Sequence, residues 1–308
     1  MSSEVENIIF KAKSKEAFVI KILGELLSNT LPFSQFTINE KGIFLLQSDD
    51  HRNQLIDIAL HRENFTLYKC SQEINFLINS SKFYKFLKNI KKKDSITITI
   101  QKHDDDILSL GICVEQMDNN NRLTTNIRIG SYQPEVMEPP TGYENPFIMS
   151  GKEFQSIKNL HHSSDTMSVT TRGEWIRFLV TDDDRHDRKL EVGNNGQDDE
   201  NREYQSCSKT FRTSYITSLC KCAGQSGNIQ VFLSEDLPLK IKLKAGNLGE
   251  ISVYIKSLEM ISEEDDDAYV SGQSNEEDEK AHLIEHLSLD DDDIKPRRGR
   301  QKRTMTIL

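Results

Sequence analysis

The sequence predicts an α+β protein of two topologically similar domains, each with two helices packed against antiparallel sheets. Three observations carry this expectation. Many short segments alternate apolar and polar residues, as in the Ile-Thr-Ile-Thr-Ile run within 95–102, which is the period of a half-buried strand. Four longer segments repeat their apolar residues at helical spacing instead. The order strand, helix, strands, helix, strands also occurs twice, as a repeat of architecture without literal sequence identity.

In the first half, a strand at 8–13 precedes an amphipathic helix at 14–28 and β-rich segments at 35–37, 42–47, 54–61 and 64–70. A second helix is expected at 81–91, followed by strands at 95–102, 107–115 and 122–130. Residues 131–146 hold four of the seven prolines together with Gly142, a composition neither helix nor central strand tolerates, so they read as an extended linker. The second half then gives a strand at 147–149, a helix at 151–162, and strands at 166–171, 175–181 and 189–193. A helix at 210–222 and strands at 228–233, 237–245 and 250–255 complete it. Polar, acidic 194–205 reads as a surface loop, and low-complexity 263–308 as disordered. The division is therefore an N-terminal domain 1–130, a linker 131–146, a C-terminal domain 147–262 and a tail 263–308.

The net charge of −10 is unevenly placed. Residues 263–308 contain 14 acidic and 7 basic side chains, which leaves the body at only −3 and free to present a basic face. No apolar run approaches the roughly 20 residues of a membrane span, and the polar start carries no secretory pattern, so no membrane partner is expected. Five scattered cysteines suit a reducing compartment better than a disulfide framework. The one-residue spacing of Cys220 and Cys222 is not a zinc motif, and neither a metal nor a cofactor is expected.

The helices carry the candidate chemistry. At 81–91, Phe83, Phe86, Leu87 and Ile90 share one face, while Lys85, Lys88 and the following Lys92 share the other. The helix at 14–28 is expected to bury Phe18 and Ile22 and to expose Ser14, Lys21, Glu25 and Ser28. At 151–162, Phe154, Ile157 and Leu160 point inward, with Lys152, Lys158 and His162 outside. At 210–222, Phe211, Tyr215, Leu219 and Cys222 point inward, with Ser214, Thr217 and Lys221 outside. One lysine on one helix is ordinarily a solvated residue; lysines on all four suit loose phosphate contact, which gives affinity without reading sequence.

Phe65-Thr-Leu-Tyr68-Lys69-Cys70, followed by Asn79, Lys85, Leu87, Lys88 and Asp94-Ser-Ile-Thr97, resembles the proliferating cell nuclear antigen family of eukaryotic and viral DNA sliding clamps. In the second half Ser150-Gly151, Lys158, Leu160, His162 and Asp165 are similar to that family's third helix, and Thr210-Phe211, Tyr215, Lys221, Pro238, Gly249 and Tyr254 to its ending. The resemblance spans roughly residues 9–258. It implies the DNA clamp fold, assembled as a homotrimer with six domains in a pseudo-sixfold ring, opened by a clamp loader and closed around double-stranded DNA. Head-to-tail contacts would pair an edge strand near 124–130 with one near 189–193 of the next subunit. The DNA-facing lysines it implies are Lys21, Lys85, Lys88, Lys158 and Lys221, beside Lys92 from the helix reading.

The resemblance also implies a groove beneath the linker for DNA polymerase and other clients that insert a helical turn with apolar and aromatic anchors. Its positions are Leu55, Val136, Met137, Pro139, Tyr143, Leu237, Pro238, Tyr254 and Ile255. Ser48, Arg52 and Asn53 depart from the family's usual residues there. The loop 171–174 lacks the lysine that often receives ubiquitin, and the long tail marks a divergent member. Within that tail, Lys295-Pro-Arg-Arg-Gly-Arg-Gln-Lys-Arg303 is similar to a nuclear localisation signal, which points to the nucleus or a viral replication site. Two other clamp readings stand beside a homotrimer: a subunit of a heterotrimeric checkpoint-type clamp, and a clamp-like viral replication or transcription accessory factor that does not encircle DNA. A metal-dependent nuclease would draw on Asp104–Asp106 and Asp182–Asp184, which read more simply as solvated turns.

Overall fold

The computed structural model describes residues 8–103, 108–118, 121–160, 164–181, 186–193 and 206–271. His162, the two aspartate triplets, the acidic loop 194–205 and the basic cluster 295–303 lie outside the described residues.

The first half runs β1 (Ile8–Ser14), α1 (Ala17–Thr30), β2 (Phe33–Asn39), β3 (Gly42–Ser48) and β4 (Gln54–His61). It continues with β5 (Leu67–Cys70), β6 (Ile74–Asn79), α2 (Ser80–Leu87), β7 (Ser95–Lys102), β8 (Leu108–Gln116) and β9 (Asn121–Ser131). After the linker, the second half runs β10 (Phe147–Ser150), α3 (Gly151–Ser156), β11 (Thr166–Arg172), β12 (Trp175–Thr181), β13 (Asp187–Gly193) and β14 (Ser206–Arg212). It ends with α4 (Thr213–Ser218), α5 (Cys220–Ala223), β15 (Asn228–Phe232), β16 (Leu239–Ala245), β17 (Gly249–Ile255) and α6 (Leu258–Ser271).

Several sequence expectations are corrected here. β6 was not expected, because Ile74, Phe76, Leu77 and Ile78 are all buried and such a run shows no alternation. β14 replaces the start of the helix expected at 210–222: Thr210–Arg212 pair with β11 as the end of a seven-residue ladder, and the helix that follows breaks at Leu219. The helix expected at 151–162 shortens to α3 and a 3₁₀ turn, Ile157–Leu160. α2 stops at Leu87, with the Lys88 N–H donating to the Tyr84 carbonyl, and in the turn that follows the Asp94 carboxylate accepts from the Lys91 N–H at 2.8 Å. Ser14 belongs to β1, and its hydroxyl accepts from the Glu16 N–H at 2.9 Å, so α1 begins later than expected. A helix reaches Ser271, beyond the expected limit of order at 262.

Sheet topology restates the repeat in three dimensions. Among the described residues, thirteen strands form one sheet in the order β10-β15-β16-β17-β4-β3-β2-β6-β9-β8-β7-β1-β5, and four form a second, β13-β12-β11-β14. β17 and β4, one from each half, pair antiparallel over seven residues from Gly249↔Leu60 to Ile255↔Gln54. The helices pack as a row: α2 on α1, α1 on α5, α5 on α3. Gly24 permits the closest approach, since a Cβ there would stand 2.8 Å from Leu87 Cδ1. Beneath the row lies a continuous core that includes Leu27, Leu87, Phe154, Phe178 and Phe211.

Candidate nucleic-acid face and client groove

Lys21, Lys85 and Lys221 lie on α1, α2 and α5, while Lys88, Lys92 and Lys158 lie in the turns that follow α2 and α3. Lys85, Lys88, Lys92, Lys158 and Lys221 are exposed and Lys21 is half-buried. Asn79 caps α2, its side chain accepting from the Lys82 N–H at 2.8 Å, and a reciprocal Ser150–Glu153 capping box starts α3. Lys21 donates to the Ile90 carbonyl at 3.1 Å, tying α1 to the end of α2. Phe18, expected inside, is half-buried, with the ammonium groups of Lys21 and Lys92 at 5.4 and 5.7 Å from its ring centre.

One acid tempers this face. Glu25 accepts from Lys221 across the α1–α5 boundary, and burial, with the Glu25 charge second, pushes the Tyr84 hydroxyl up. Lys221 is therefore ion-paired, so a phosphate would compete with Glu25 for it, whereas Lys85, Lys88 and Lys158 stand in solvent. Cys220 and Cys222 are buried among the same helices, and burial pushes their thiols up to about 11 and about 12. A protonated thiol is a poor metal ligand and a poor nucleophile.

The second site lies across the strands that join the two halves. Register aligns Phe232, Lys240, Tyr254, Leu55 and Ser48 in one row over β15, β16, β17, β4 and β3. Side chains on alternate positions face opposite ways, so Ile255, expected in the groove, instead joins the core on the other face of β17. The linker closes over this row. Gly142 turns it at a φ of +91°, next to Leu237, and the Tyr143 hydroxyl donates to the Pro238 carbonyl at 2.8 Å. The Tyr143 ring meets Phe232 edge-on at 5.7 Å and lies 6.0 Å from Tyr254. Pro139 is half-buried, but Val136 is 98% exposed and Met137 36% exposed, two apolar side chains on the linker that stand in solvent.

The departures are structural as well. The Ser48 hydroxyl donates to the Gln54 carbonyl at 3.3 Å, Arg52 takes a φ of +55°, and Asn53 is buried. Asp49 organises that turn, accepting from the N–H groups of Asn53 and Gln54 at 2.8 and 2.9 Å, and from the Tyr215 hydroxyl of the other half at 3.2 Å. Phe232 and Lys240 were missed as groove residues. The alternation of 239–245 puts Lys240 on the outward face, but nothing local shows that three aromatic rings surround it.

Helices in a row over a duplicated, sheet-joined body define the DNA clamp fold. Family models of the proliferating cell nuclear antigen N-terminal and C-terminal domains match residues 9–131 and 138–258. The chain belongs to the proliferating cell nuclear antigen family. It is 26% identical over 259 residues to a probable DNA polymerase sliding clamp of Paramecium bursaria Chlorella virus 1, covering 81% of this chain and 97% of the relative. It is 22% identical to the proliferating cell nuclear antigen of Chaetomium thermophilum, covering 80% and 97%, and 21% to a probable sliding clamp of Autographa californica nuclear polyhedrosis virus, covering 80% and 95%.

Proposed function

We propose that the chain is a DNA polymerase processivity factor, a homotrimeric ring that encircles duplex DNA and tethers replication proteins to it. Residues 1–130 and 147–262 act as its two domains. One observation carries the reading. β17 is the last strand of the second half and β4 the third strand after the first helix of the first half, and these two are paired. Their counterparts are β9 and β13. Among the described residues, β9 has only β8 as neighbour along 121–129, and β13 has only β12. Two equivalent edges, one closed internally and one open, are what a head-to-tail ring requires. Pairing β9 of one subunit with β13 of the next would repeat the internal junction at each subunit boundary.

Inside such a ring, Lys21, Lys85, Lys88, Lys92, Lys158 and Lys221 would touch phosphates weakly enough to slide, and closure would supply retention. The groove over Leu55, Tyr143, Leu237, Pro238 and Tyr254 would hold clients, with Pro139, Val136 and Met137 on its linker side, and raise their local concentration on DNA. No residue is assigned catalysis, and the place of action is the nucleus or a viral replication site. To test encirclement, the protein is threaded onto duplex DNA immobilised at one end, and the free end is then capped with a bulky protein. Retention through a high-salt wash only on capped DNA is expected; equal loss from capped and open DNA would refute it.

A further inference from the structure

Lys240 occupies an unusual place in the groove. Its ammonium lies 5.0 Å from the centre of the Tyr143 ring, 5.2 Å from Phe232 and 5.3 Å from Tyr254. Among the described residues no carboxylate comes within ion-pair distance of it. Glu250 is taken by Lys242 at 2.6 Å, and Asp57 sits one row along the sheet and acts on Lys240 only through space. Burial, together with the charge of Lys242, holds the Lys240 ammonium below the usual lysine range. Three π faces compensate its lost hydration in part, but they supply no anion.

Resting on the client-groove reading, we propose that Lys240 determines client specificity by favouring peptides that carry a carboxylate beside their aromatic anchor. An anchor entering beside the half-buried Phe232 must lie against this ammonium or displace it. An arriving aspartate or glutamate gives the ammonium a partner inside a partly desolvated site, where a charge-assisted contact is strongest. A neutral peptide finds the same rings and leaves the cation unpaired. Val136 and Met137, exposed on the linker, are free to offer apolar contact to both kinds of peptide.

The test uses the full chain and labelled helical-turn peptides with one aromatic pair, in which glutamate or glutamine is placed in turn at the flanking positions. Affinities are read by fluorescence anisotropy. At the best position the glutamate peptide should bind roughly five- to tenfold more tightly than its glutamine twin. Lys240→Met, which keeps the aliphatic stem, should erase that ratio, Lys240→Arg should keep it, and high salt should shrink it. Equal affinities for the twins at every position, or the same ratio in Lys240→Met, would overturn the proposal while leaving the groove intact. Failure of every peptide to bind would instead remove the groove reading and this proposal with it. Melting curves of both variants control for folding, and the salt dependence of the unaltered chain decides the matter if Lys240→Met does not fold.

Discussion

The junction between β17 and β4 and the pair of open strands β9 and β13 are the same design in two states. In the first, seven residues pair, both faces of β17 are covered from Ile251 to Ile255, and Tyr215 reaches across to Asp49. In the second, most of β9 is exposed and Leu123 is 52% exposed in a strand with one neighbour along that stretch among the described residues. The difference teaches that an edge strand is not marked by its composition alone. Whether it is an edge depends on whether its partner is encoded in the same chain.

Substitutions should separate the two states. Val253→Asp places a charge at a fully buried position of the closed junction, and a cost of about 4 kcal/mol or more should abolish the cooperative thermal transition. Leu123→Glu should leave subunit stability within about 0.5 kcal/mol, since the residue is exposed. It should nevertheless weaken assembly by roughly 100-fold, about 2.7 kcal/mol, read from the concentration dependence of the mass. Tyr215→Phe removes the hydroxyl that donates to Asp49 and should cost about 1 kcal/mol in chemical denaturation without changing assembly. Gln54→Met is the smallest and has the opposite sign. The Gln54 side-chain amide is buried without a hydrogen-bond partner among the described residues, so the change should stabilise the junction by up to about 1 kcal/mol.

Much of the fold was legible where one face of an element is wet. β7 and β12 run over the residues expected, 95–102 and 175–181, because their alternation is undisturbed. β6 was illegible because burial on both faces erases the period, and β14 because Ser-Cys-Ser-Lys-Thr offers no apolar repeat before Phe211. The lysines could be read from helical spacing. Their pairings could not: Glu25 meets Lys221 across 196 positions of sequence. In the groove, Tyr143 and Tyr254 came from the resemblance, whereas the ring cage around Lys240 exists only because register brings β15, β16 and β17 together beneath the linker.

In the proposed ring the open edges β9 and β13 complete each other between copies of this chain. Light scattering coupled to size-exclusion chromatography, over a range of protein concentrations, tests it most directly. A species of about three times the 35.4 kDa subunit mass that dissociates only on dilution is expected. A single 35.4 kDa species at every concentration would contradict it.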